Sequence, residues 1–178
     1  KCIKLRHIEI PRDSKLQIIG KNAFKQSGIQ SIFIPLNIKH IFKSTFLGCK
    51  NLQNVEFHPD SKLNTIEDKA FLDSFIEKIL IPPHVTHICD QAFDICVKLN
   101  KVVIPVDSEL KLIGKSAFGS SGIKSLFIPQ NLTKICDNAF INCFGFQIVE
   151  IAENSKLKLD IASFSYIYNL IIMVPAEK

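Results

Sequence analysis

The sequence predicts a solenoid: about eight short stacked coils, a parallel β-sheet along one face and brief helical or 3-10 turns along the other. Three observations predict it. Phe24, Phe71 and Phe118 lie 47 residues apart, as do Phe46, Phe93 and Phe140, and with Phe164 the steps between anchors run 22, 25, 22, 25, 22 and 24. Each anchor follows Ala, Thr or Ser, and six of the seven follow a recurring upstream Ile. Five prolines recur just past apolar segments, at Pro35, Pro82, Pro105, Pro129 and Pro175. A unit this short cannot bury its own apolar side, so it must stack on copies of itself.

Two coil types alternate. The shorter runs from Phe24 through Ser27-Gly28-Ile29 and Ser31-Ile32-Phe33-Ile34-Pro35 to Phe46, and returns from Phe71 and from Phe118. The longer runs from Phe46 through Cys49, Leu52 and Asn54-Val55-Glu56-Phe57 to Phe71, with three more residues around Ser61-Lys62-Leu63. Cys2, Leu5, Ile8 and Ile10 match Cys49, Leu52, Val55 and Phe57, so the repeat is in register from the first residues. Within each unit a closing apolar/polar alternation has strand spacing, as in Ile76-Ile79-Ile81 and Leu99-Val102-Ile104. Proline then stops the ladder because it has no amide hydrogen to donate. Strands are expected near Leu5, Ile29, Leu52, Ile76, Leu99, Ile123, Phe146 and Leu170. The Ile-x-x-x-Ala-Phe stretch between strands is too short for a long helix and reads as a turn of helix or 3-10 helix.

The motif Ile-Pro-x-x-Val/Ile-x-x-Ile-x-x-x-Ala-Phe-x-x-Cys-x-x-Leu is carried by Ile81-Pro82 through Ala92-Phe93, Cys96 and Leu99, and by Ile128-Pro129 through Ala139-Phe140 and Cys143. It resembles the BspA-type leucine-rich repeat, and the resemblance covers residues 1–178 as a single leucine-rich-repeat domain. It implies a cell-surface or secreted protein of the kind found in anaerobic bacteria and parasitic protists, similar to proteins implicated in adherence to host cells and matrix. The family motif is structural, so it transfers scaffold positions and no catalytic residues. Lys1 opens in mid-repeat with no preceding Met and no basic-then-apolar leader, so the sequence reads as an excerpt of a longer chain.

Composition excludes several classes. No apolar run is long enough to span a bilayer. The net charge of +5 is spread over many coils rather than gathered into the stripe that nucleic acid requires. Cys2, Cys49, Cys96 and Cys143 recur two coils apart, about 9.6 Å, beyond the roughly 7 Å that a disulfide spans. They read as inward thiols. Cys89 and Cys136 each stand seven residues before one of these, which leaves a bridge within a coil open as an alternative. His84, His87, Cys89 and Cys96 carry metal-ligating atoms but lack close pairs, and Asn131 and Lys134 replace the two histidines one repeat on. No metal, cofactor or catalytic residue is therefore expected.

The functional signal is the strand position that should face away from the core. It reads Glu9, Phe33, Glu56, Leu80, Val103, Phe127 and Glu150, then Ile171 or Met173, and so places apolar side chains on the sheet face of the central coils. Ser31, Asn54, Lys78, Lys101 and Ser125 would flank them with polar groups. Such a strip suits a docked protein. The expected function is thus non-enzymatic protein binding or adhesion to a host-cell or matrix protein, with a structural spacer or a self-associating scaffold, including a homodimer, as alternatives. With no Trp and two Tyr, carbohydrate binding is poorly supported. Asn131-Leu132-Thr133 is an N-glycosylation sequon at an expected bend. The degenerate last coil, with Tyr166 and Tyr168, reads as a terminal cap.

Overall fold

The computed structural model of the chain describes residues 3–174. Its strands, in chain order, are β1 (Ser31–Ile34), β2 (His40–Ile41), β3 (Asn54–Phe57), β4 (Thr65–Ile66), β5 (Lys78–Leu80), β6 (His87–Ile88), β7 (Lys101–Val103), β8 (Leu112–Ile113), β9 (Ser125–Ile128), β10 (Lys134–Ile135), β11 (Ile148–Ile151) and β12 (Ile171–Met173). All pairings are parallel. The odd-numbered strands and β12 form one face, where Ile32, Ile79, Val102, Leu126 and Val149 point into the core. The parallel solenoid is as the repeat predicts.

That face differs from the expected sheet in two ways. Residues near Leu5 form no strand, although Leu5, Ile8 and Ile10 pack on the core, and the coil joins its neighbour through the Gln30 amide and the Arg6 carbonyl, 3.3 Å apart. Seven face strands therefore stand where eight were expected. Pairing is also interrupted, into β1-β3, β5-β7 and β9-β11-β12. Proline explains much of this. Beyond β3 and β11 the amides of His58 and Ala152 donate to Ile34 and Ile128 (3.0 and 2.9 Å), and those joints hold four residue pairs. Pro82, Pro105 and Pro129 occupy the same place in the other coils and have no such donor. The β5-β7 joint is shortened to three pairs, and β3-β5 and β7-β9 are lost.

A second ladder, unforeseen in the sequence, runs unbroken as β2-β4-β6-β8-β10. Its two-residue strands end on Ile41, Ile66, Ile88, Ile113 and Ile135, the recurring Ile before each Phe, all buried.

Beyond it the expected helical turns are replaced by something else. The residues two before and two after each anchor Phe from Phe24 to Phe140 adopt left-handed backbone: Asn22 and Gln26, Ser44 and Gly48, Lys69 and Asp73, Gln91 and Ile95, Ser116 and Ser120, Asn138 and Asn142. This alternation sends every second amide to the next coil. Phe46 donates to Ala70 (2.8 Å) and Phe93 to Ala117 (2.7 Å), while the residues between close short turns. Helix cannot form where half the amides point along the stack. A 3-10 helix appears among the described residues only at Ile161–Phe164, capped by the Asp160 carboxylate on the Ala162 amide. Inside the turns the Phe rings form one pile from Phe24 to Phe164, with centroids 5.0–5.5 Å apart and planes within 12°.

Ile95 is strained by this arrangement. A β-branched side chain at φ 58° meets its own backbone. Its counterpart one 47-residue period on is Asn142 (φ 58°), a residue that tolerates the conformation. Ile95 is 43% exposed and outside the buried core, so its replacement leaves no core cavity. Ile95→Asn is expected to raise stability by about 1 kcal/mol, read as a higher urea midpoint with unchanged slope.

Among the described residues the coil around Phe164 does not shield its outer layer as a cap would: Phe164 joins the ring pile, but Ile161 is 90% exposed and Ile171, Ile172, Met173, Tyr166 and Tyr168 also face solvent. Cys2 and Pro175 lie outside the described residues.

Candidate functional site: the strand face

Period-two alternation decides which side chains reach the outer face. Phe33 and Phe127 hold the same position in β1 and β9, each between two buried apolar neighbours, and both are half-buried; Val103 is also half-buried and Leu80 is 51% exposed. Glu56 and Glu150 stand exposed opposite Phe33 and Phe127, and Met173, not Ile171, continues the row, in register with Glu150. Ser31, Asn54, Lys78, Lys101 and Ser125 begin their strands and are all exposed. The apolar strip is not uniformly open.

At its N-terminal end Arg12 covers it. The guanidinium carbon lies 4.8 Å from the centre of the Phe33 ring, and Nη2 donates to Glu56 Oε1 at 2.6 Å. His58 leans on the same ring, centroids 6.4 Å apart. Toward the C-terminal end the face opens into a groove of about 630 Å³ that includes Val106, Phe127, Glu150, Ala152, Glu153 and Met173. A smaller cleft of about 200 Å³ lies where β7 and β9 fail to pair, between Lys101 and Phe127.

Among the described residues the cysteines are free thiols, and they do more than fill space. Cys49, Cys96 and Cys143 are buried, and each donates to the carbonyl of the Phe one coil back: Phe24 at 2.9 Å, Phe71 at 3.1 Å and Phe118 at 2.9 Å. Each also meets a serine, Ser27, Ser74 or Ser121, at 3.4–3.5 Å. Those serines occupy the same place in the intervening coils, so serine and cysteine alternate along one buried row. Burial pushes the Cys96 thiol up to about 12, against the opposing hydrogen bond from Ser74. Burial, then Asp68, Glu67 and Asp90, raises Cys89 to about 11. Both stay protonated and poorly nucleophilic near neutral pH. The alternative bridge from Cys89 to Cys96 is not formed, because Cys96 turns inward to Phe71 and Ser74.

His84 and His87 face solvent. His84 Nδ1 lies 2.9 Å from Glu109, and His87 Nδ1 lies 2.8 Å from the Thr86 hydroxyl. Among the described residues no three His, Cys, Asp or Glu side chains converge as a metal site. Asn131 is exposed at its bend, with Nδ2 donating to the Ser108 carbonyl at 2.9 Å. No helix among the described residues is long and apolar enough to cross a membrane.

Sequence reasoning overlooked an apolar edge outside the strand face. Val97 and Phe144, next to the buried cysteines, are 54% and 74% exposed, whereas Lys50 holds the same repeat position. The row Lys50, Val97, Phe144 was readable by the same comparison that found Phe33. Val106, 71% exposed, was missed likewise, since its equivalent is Arg12.

Fold and face together define a leucine-rich-repeat solenoid with an exposed, mixed apolar and charged sheet surface. The chain belongs to the BspA type leucine rich repeat region family, which matches in 6 copies over residues 1–100 and 86–177. No curated protein matches it. Among solved structures, the pneumococcal vaccine antigen PcpA is similar at 32% identity and a TM-score of 0.69, over 72% of this chain and 32% of that one. A leucine-rich repeat protein from Bacteroides ovatus aligns at 24% identity and a TM-score of 0.75, over 97% of this chain and 40% of the other. A leucine rich cell surface protein from Faecalibacterium prausnitzii aligns at 23% identity and a TM-score of 0.56, over 78% of this chain and 43% of the other. The latter two likenesses concern the fold alone. The chain spans less than half the length of each of these proteins.

Proposed function

We propose that this chain is a non-enzymatic binding module, displayed at a cell surface or secreted, that adheres to a host-cell or matrix protein through its strand face. The observation that carries the reading is the row Phe33, Leu80, Val103 and Phe127, which leaves apolar area beside exposed Ser31, Asn54, Lys78, Lys101 and Ser125. An apolar patch with a polar rim is what a protein partner requires. The similarity to a vaccine antigen supports exposure to the outside of a cell. The test is the Phe33→Ser/Phe127→Ser double variant, with folding followed separately by circular dichroism. Adherence to immobilised host-cell and matrix proteins is expected to fall at least tenfold while the folded signal persists. Unchanged adherence would move the search to the turns at Val97 and Phe144, or leave the chain a spacer.

A further inference from the structure

We infer that the groove at Val106, Phe127 and Glu150 is a seat for an arginine side chain presented by a protein other than this chain. The inference rests on the strand-face reading and specifies what that face recognises. Its template is inside the molecule. Adding two 47-residue periods to Arg12, Phe33, Glu56 and His58 gives Val106, Phe127, Glu150 and Ala152. The strand registers repeat too, since Phe33 pairs with Glu56 as Phe127 pairs with Glu150.

In the first copy the chain's own guanidinium fills the position, with the carbon 4.8 Å over the ring and Nη2 2.6 Å from the carboxylate. In the second copy ring and carboxylate remain, but Arg12 has become Val106 and His58 has become Ala152. Two long side chains are replaced by short ones, and a groove of about 630 Å³ opens in their place. Glu153 adds a second carboxylate beside it. Among the described residues neither Glu150 nor Glu153 has an ion-pair partner. The middle copy has Pro59, Leu80 and Val103 and offers neither ring nor acid.

An aromatic face beside a carboxylate selects guanidinium over ammonium, because the flat cation lies on the ring while its N–H groups reach the acid. A second copy of this chain is a poor donor. It contains two arginines, and Arg12 is already engaged, leaving Arg6.

The full isotope-labelled chain would be titrated with N-acetyl-argininamide and, in parallel, N-acetyl-lysinamide, following the NMR signals of Phe127 and Glu150. The arginine probe should shift both saturably and the lysine probe several-fold more weakly. Glu150→Gln should weaken the arginine probe several-fold, on the order of fivefold to tenfold. Val106→Arg should abolish its binding by filling the seat from within. Arg12→Ala supplies a gain-of-function control, since a second seat should appear at Phe33 and Glu56. The inference is overturned if the arginine probe leaves Phe127 and Glu150 unmoved, or if Glu150→Gln or Val106→Arg binds it as wild type does. A dimer that Val106→Arg dissolves would make the occupant a second copy and overturn the assignment to another protein. Failure of this seat is distinguishable from failure of the strand-face reading. A silent arginine probe, with adherence still lost in the Phe33→Ser/Phe127→Ser variant, removes only the seat. Probe binding together with full adherence of that double variant removes the strand-face reading.

Discussion

Phe93→Ala is expected to cost about 3–5 kcal/mol and to divide the solenoid into two weakly coupled halves. Phe93 is fully buried, with Phe71 at 5.1 Å on one side and Phe118 at 5.2 Å on the other. Its removal leaves a cavity and breaks two stacked pairs in the middle of the pile. Because each coil touches only its neighbours, the remaining coils cannot share the loss. Urea unfolding should become biphasic, and amide exchange should speed up first in the coils carrying Phe71, Phe93 and Phe118. Phe24→Ala is the control. That ring is half-buried and stacks on one side only, so its loss should lower the midpoint far less. Equal midpoints for the two variants would show that the pile does not carry the stack's cohesion.

Gly114→Ala is the second large effect, expected at about 1–3 kcal/mol from overpacking. A methyl group there would sit 2.6 Å from the carbonyl carbon of Cys89 and 2.7 Å from the amide nitrogen of Asp90, both backbone atoms of the preceding coil. Backbone cannot step aside as a side chain can. The Gly114 amide donates to the Ile88 carbonyl at 2.8 Å, so relieving the clash means lengthening an inter-coil bond. One coil further on, the same repeat position holds Cys136, so the clash belongs to this one junction rather than to the position in general. The variant should show a lower urea midpoint and faster exchange at Gly114 and Cys136. An unchanged midpoint would mean that the coils can part slightly at no cost.

Much of the fold was legible because stacking copies one coil's environment onto the next. Phe anchors that recur once per coil must pile up, and they do. The inward Ile and Leu, and the outward Phe33, Leu80 and Phe127, follow from the same register. Where expectation failed, the cause was local backbone geometry. The Ile-x-x-x-Ala-Phe stretch looked helical because its spacing admits a turn of helix. Alternate amides go instead to the neighbouring coil, a choice that exists only once that coil is beside it. In the sequence the prolines read as strand ends. That they also interrupt pairing between coils depends on which strand faces which, and Pro82 and Pro129 differ in effect from Pro105. The cysteines read as small apolar fillers, yet their sulfurs meet a carbonyl and a hydroxyl more than twenty residues away in the chain.

The site was legible in part. Position along the strand identified Phe33 and Phe127 as equivalents, but the sequence treats them alike, whereas the structure sets a guanidinium over one ring and a groove beside the other. The difference lies in Arg12 and Val106, each 21 residues upstream in the adjacent coil.

By itself, then, the chain's periodicity determined a stacked solenoid, its inward ring pile and the set of side chains eligible for the outer face. These depend on repetition alone, because any residue that recurs in step meets its own copy. Tertiary structure decided which eligible side chains are free. Exposure at one coil is set by what its neighbours extend across it, and no single repeat contains that information.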